Sequence, residues 1–271
     1  MISRVQIAPD HMHLLKNNYV HSAPVNISTV SNIIENEWNR LRIKCPSIKK
    51  NVNIQIGLND TFDTTLAHVS FADVIENGVM EPSTLYDYDT IDMQIILNSN
   101  PMNGWHIGDC KNIGVQYNLE TVIRHELLHS IGLASTFNGT AFGRWHENKC
   151  YLRRYDKEIS DVFGNKLVDK CEMNLHDKEL YINGIRLYNP SVFFPGSSLS
   201  HHVYIDHLMH WQLSPSKCLD MKEEEVKMLS AVGVNCTVEP DSSDPPVSSS
   251  FPYELSRWLL LVSQVLLLCL I

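Results

Sequence analysis

The five residues His125-Glu126-Leu127-Leu128-His129 constrain this chain more than any other feature. Two histidines four apart share one face of an α-helix, so both imidazoles can reach one ion. Their neighbours Val122, Ile123, Leu127, Leu128 and Ile131 are apolar. This pattern predicts a half-buried helix over residues 119–131, capped by Asn118 and stopped at Gly132. Glu126 follows on the same turn, placed to hold and deprotonate water rather than to ligate. The chemistry expected of such a helix is metal-assisted hydrolysis, with zinc as cofactor. The plain alternative is two surface histidines on an ordinary helix, and the apolar flanks argue against it.

A tetrahedral zinc site needs a third protein ligand. In the extended pattern H-E-x-x-H-x-x-G-x-x-H the last position would supply it. Here that position is Ser135, whose hydroxyl is a poor zinc ligand at neutral pH. The best supply lies further on, in Ser197-Ser198-Leu199-Ser200-His201-His202 and Asp206-His207-Leu208-Met209-His210. A downstream carboxylate, Glu147 or Glu158, is a second geometry.

Residues 125–135, reading HELLHSIGLAS, resemble the leishmanolysin-like branch of the metzincins and its microbial relatives. In that branch an insertion separates the helix-ending glycine from the third histidine, and a methionine turn follows. Residues 196–201, GSSLSH, and then Leu208-Met209 match this layout, as does Tyr188-Asn189-Pro190-Ser191 before them. The resemblance covers residues 92–234. It implies a zincin fold, endopeptidase activity, His201 as third ligand, Met209 in the turn beneath the metal, and surface anchoring. His202, His207, His210 and His146 remain rivals for the third position.

Elsewhere, Val30, Ile33, Ile34, Trp38 and Leu41 recur at helical spacing, predicting a helix over residues 28–42. Val52, Ile54 and Ile56 alternate with polar residues as in a strand. Residues 67–71 suggest a second strand, and Met93, Ile95, Ile96 and Leu97 a third, more buried one. The strand near Ile95 is expected to be the edge along which an extended peptide lies. Short strands are predicted at 180–182 and 185–188, and a last helix over 221–231. The order implies an α+β fold: a zincin- or metzincin-like catalytic domain with a small twisted sheet, an active-site helix and an irregular C-terminal subdomain.

The net charge of −9 and the lack of a dense Lys/Arg stripe exclude nucleic acid as a partner. The run Lys222-Glu223-Glu224-Glu225 reads as a solvated helix face. Of seven cysteines, Cys269 lies in an apolar tail, and the other six suggest up to three disulfides and an oxidising compartment. Four glycosylation sequons, at Asn26, Asn59, Asn138 and Asn235, point the same way. Residues 1–10 lack an export signal's basic and apolar regions, so an incomplete start is expected.

The expected organisation is an N-terminal segment (1–24), a metalloprotease domain (25–236), a Ser/Pro-rich spacer (237–257) and an apolar anchor signal (258–271). The tail is short for a spanning helix, and small residues precede it, as in a GPI-anchor signal. Attachment candidates are Ser242, Ser243, Ser248 and Ser249, with a short transmembrane anchor or a buried helix as alternatives. The expected protein is a monomeric cell-surface or extracellular glycoprotein. Its partners would be a protein or peptide substrate and a membrane surface reached through the lipid. The competing expectation is a weakly active or inactive surface adhesion protein on a protease fold.

Overall fold

The computed structural model describes residues 4–7, 25–48, 51–59, 65–85, 92–99, 101, 103–108, 110, 113–171, 175 and 178–238. The anchor tail, nearly all of the spacer and most of the N-terminal segment lie outside these, as does part of the Asn59 sequon.

Strand β1 (Arg4–Ile7) and strand β2 (Asn53–Asn59) pair in parallel, joined by a crossover that includes helix α1 (Ile27–Lys44). Parallel neighbours need such a crossover because a tight turn cannot reverse the chain twice. The side chain of Asn26 caps α1 by accepting the Ser28 amide. The stripe Val30, Ile33, Ile34, Trp38 and Leu41 is buried as its spacing predicts. Each such side chain contributes about 1.5–3 kcal/mol when fully buried.

Strand β3 (Ala67–Phe71) leads into a hairpin of β4 (Asp73–Glu76) and β5 (Val79–Pro82). Strand β6 (Met93–Asn98) returns to the main sheet, whose order is β1-β2-β6-β3. β6 runs parallel to β2, with Ile56 opposite Ile95, and antiparallel to β3, with Val69 opposite Ile95. The strand near Ile95 is therefore interior, and the expected edge is displaced to β3. Met93, Ile95 and Leu97 share one face of β6 and are almost fully buried. β3 alternates half-buried and exposed residues, which suits an edge.

The short strands β7 (Trp105–His106) and β8 (Tyr117–Asn118) pair just before helix α2 (Leu119–Ser130). α2 packs against α1 and β3. An irregular stretch follows, holding hairpin β9 (Arg144–His146)–β10 (Lys149–Tyr151), the single turn α3 (Arg154–Lys157) and hairpin β11 (Tyr181–Ile182)–β12 (Ile185–Arg186). Helix α4 (Glu223–Ala231) closes the described chain. The fold class is α+β.

Three disulfides tie the chain: Cys45–Cys236, Cys110–Cys218 and Cys150–Cys171. They accord with an extracellular or secreted protein. No helix among the described residues is long and apolar enough to cross a membrane.

Candidate metal centre

Helix α2 is fixed by its own sequence at both ends. Asn118 Oδ1 accepts the Thr121 amide at 2.8 Å. At the other end Gly132 turns the chain at φ +129°, and a Cβ there would stand 3.2 Å from Val232. All of α2 except Glu120 and Arg124 is buried, more than the half-buried helix its sequence predicts. The Arg124 guanidinium makes two hydrogen bonds to Glu37 of α1, at 2.6 and 2.9 Å, and one to Leu219 O. That anchor leaves His125, Glu126 and His129 facing the opposite side, toward β3 and residues 197–210.

His125, His129 and His201 meet at their Nε2 atoms. The three separations are 3.1 Å (125–129), 3.2 Å (129–201) and 2.9 Å (125–201). Each Nδ1 faces a carbonyl oxygen: Leu208 O at 2.6 Å, Leu133 O at 2.5 Å and Ser197 O at 2.9 Å. A carbonyl only accepts, so each Nδ1 carries the ring proton and each Nε2 presents a lone pair. Three lone pairs crowded at one point repel unless a cation lies between them. Carbonyls behind imidazoles are also the usual outer support of metal-binding histidines.

Burial pushes the His125 pKa down to about 4 and that of His129 to about 3, and it holds His201 well below its ordinary value. All three rings are neutral at pH 7 and ready to ligate. The cluster can hold a metal ion.

Glu126 is 6% exposed, and burial raises its carboxyl to about 8, opposed by the Val69 backbone of β3. It lines a cleft of about 1080 Å³ together with β3, the three histidines, and Phe194 and Trp211. The elements of a hydrolytic site thus share one cleft: three converging nitrogens, one carboxylate and a strand edge.

The rivals for the third position are accounted for. His202 accepts the Tyr204 amide at Nδ1 and donates from Nε2 to Glu225 Oε1 at 3.0 Å, away from the cluster. His207 Nδ1 lies 3.5 Å from Glu224 and 3.8 Å from Glu225. His210 reaches the Gln212 carbonyl, and His146 is exposed beside Glu147. Glu158 pairs with Lys166. Ser135 does not join the cluster; its hydroxyl donates to the buried Asp156, and its amide donates to Ser200 Oγ. Met209 is fully buried; its amide donates to Glu225 and its carbonyl accepts the His202 amide.

Glu225 is the residue that the sequence reading missed. It belongs to the run read as a solvated face, yet it is wholly buried. Its carboxylate accepts His202 Nε2–H, the Met209 amide at 3.1 Å and the Lys222 amide at 2.9 Å. Burial raises its pKa, but the hydrogen bond from His202 and the nearby His207 ring outweigh that and hold it well below the usual carboxylate range. Helical spacing carried the signal: Met221, Met228, Leu229 and Val232 put Glu225 on the buried stripe.

No protein-family model matches this chain, and no curated protein matches its sequence.

Proposed function

We propose that this protein is a zinc-dependent endopeptidase of metzincin-like fold, resembling the leishmanolysin-like branch. The observation that carries the reading is the meeting of three proton-free Nε2 atoms, at 2.9–3.2 Å, beside a buried carboxylate. The all-imidazole donor set suits zinc, and its carbonyl-held tautomers suit a ready-made site. His125, His129 and His201 would hold the ion, which supplies Lewis acidity that acidifies water and polarises a carbonyl.

The chain's own groups do the rest. β3 is the edge strand of the sheet among the described residues, and a peptide lies extended along it, held by backbone hydrogen bonds. Glu126 orients the attacking water, takes its proton and passes it to the leaving amine. A dication held by the three histidines would oppose the burial that raises Glu126, so that its carboxylate would serve as a base near neutral pH. The protein acts outside the cell, held at the surface by a GPI anchor attached near Ser242–Ser249.

The test pairs metal content with cleavage of an unfolded protein substrate. The wild type is expected to bind one zinc per chain and to cleave. Glu126→Gln keeps the zinc and loses about 10²- to 10⁴-fold in kcat. His201→Ala loses the zinc. A fully active Glu126→Gln protein overturns the mechanism.

A further inference from the structure

The cleft differs in charge from the molecule around it. The chain carries −9, yet the one carboxylate lining the cleft among the described residues is Glu126. Two arginines, Arg144 and Arg153, line the same cleft. They meet at Asp73, just beyond the C-terminal end of β3. Arg153 is buried, lies 4.5 Å over the Phe71 ring and grips Asp73 through Nε at 3.1 Å and Nη2 at 2.9 and 2.7 Å. That bidentate pair consumes the Asp73 charge. Arg144 is then left with a contact of 3.7 Å to a carboxylate already neutralised, and its side chain is 63% exposed. Arg144 therefore presents an exposed positive charge at the wall of the cleft, while the buried Asp156 acts on Arg153 from the protein's interior.

Its position fixes what it can meet. Glu126 lies by Val69, and Phe71 is two residues further along β3, about 7 Å away. Antiparallel pairing is the more stable per residue, and a peptide so placed on β3 has its N-terminal side toward the C-terminal end of the strand. We infer that Arg144 makes this cleft selective for peptides carrying a carboxylate a few residues before the scissile bond; this rests on the endopeptidase reading above. The acidic surface elsewhere does not cancel the effect, because charges more than a Debye length of about 8 Å away are screened at physiological salt.

The experiment uses short unstructured peptides that differ only in having Glu, Gln or Lys at each position before one scissile bond. Cleavage is measured with the zinc-loaded wild type, Arg144→Ala and Arg144→Glu. Binding of the same peptides is measured on zinc-loaded Glu126→Gln, with and without the Arg144 changes. The expected result is about a fivefold preference for Glu over Gln, in both binding and kcat/KM. It is lost in Arg144→Ala, reversed toward Lys in Arg144→Glu, and reduced by high salt. A binding preference that is absent, or unchanged in Arg144→Glu, overturns the inference whether or not peptides are cut. An intact binding preference without cleavage by the wild type supports it and overturns the endopeptidase reading instead.

Discussion

Helix α2 and the segment of residues 197–210 both bring imidazole nitrogens to one point, but they are held by different means. α2 places His125 and His129 through its own period, with Asn118 at one end and Gly132 at the other. The later segment has no regular structure of its own around His201. It is held by groups from elsewhere: Tyr155 OH on Leu199 O, Ser200 Oγ on the Ser135 amide, the Tyr188 amide on His201 O, and Glu225 on His202 and Met209. Leu199 also sits at φ +64° while fully buried, a conformation that costs a leucine about 1–2 kcal/mol. A helix needs few outside contacts to aim its side chains, whereas an irregular segment needs many. The two regions also lock together, because Leu208 O holds the His125 ring and Ser200 holds the turn after α2.

The comparison predicts an order of effects. Loss of a ligand should be equally severe from either region. His129→Ala and His201→Ala are each expected to weaken zinc binding by more than about 100-fold, the upper end for changes behind the ligands. Competition with a metal chelator measures it, and a strong difference between the two would show that the helix binds zinc without the return segment. Next, Glu225→Ala is expected to weaken zinc binding about 10- to 100-fold although it touches no ligand, since it releases His202 and Met209 together. Unchanged affinity would mean that the disulfides and backbone alone hold the segment.

Arg124→Ala should separate stability from metal binding. It leaves the buried Glu37 without its hydrogen-bonded partner and with only Arg40 at 4.0 Å, at a cost of about 3 kcal/mol in denaturant unfolding. Asn118→Ala removes the α2 cap at about 1 kcal/mol, with zinc affinity nearly unchanged.

The last effect is in pH dependence. Glu225 has a lowered pKa in the folded chain, so its contribution to stability is complete above its unfolded value of 4.5 and is lost as pH falls below it. In the metal-free protein, Glu225→Gln is expected to flatten the loss of stability below that pH, as read by denaturant titrations at neutral and acid pH.

Much of this was legible in the residues. The apolar period of α1, the strand over Ala67–Phe71 and the limits of α2 follow from local pattern. β1 was not foreseen, because four residues of strand carry little signal before their partner is known. The β4–β5 hairpin, with Asn77-Gly78 at its turn, was passed over although that pair favours a two-residue reversal. The edge of the sheet was misplaced because strand order is not a local property. The pattern around Ile95 reported burial correctly, and burial belonged to an interior strand.

The sequence by itself determined the pair His125 and His129 and the carboxylate between them, because the helical period is set by the backbone and needs no distant contact. It could offer His201 only among rivals, since adjacent residues in an irregular segment point different ways. Tertiary structure brings the His201 ring to the pair and seats His202 elsewhere: Glu225, buried on the inner face of α4, holds the His202 ring in a separate group. That choice depends on packing between segments far apart in the chain, where no local spacing can specify which side chain turns inward.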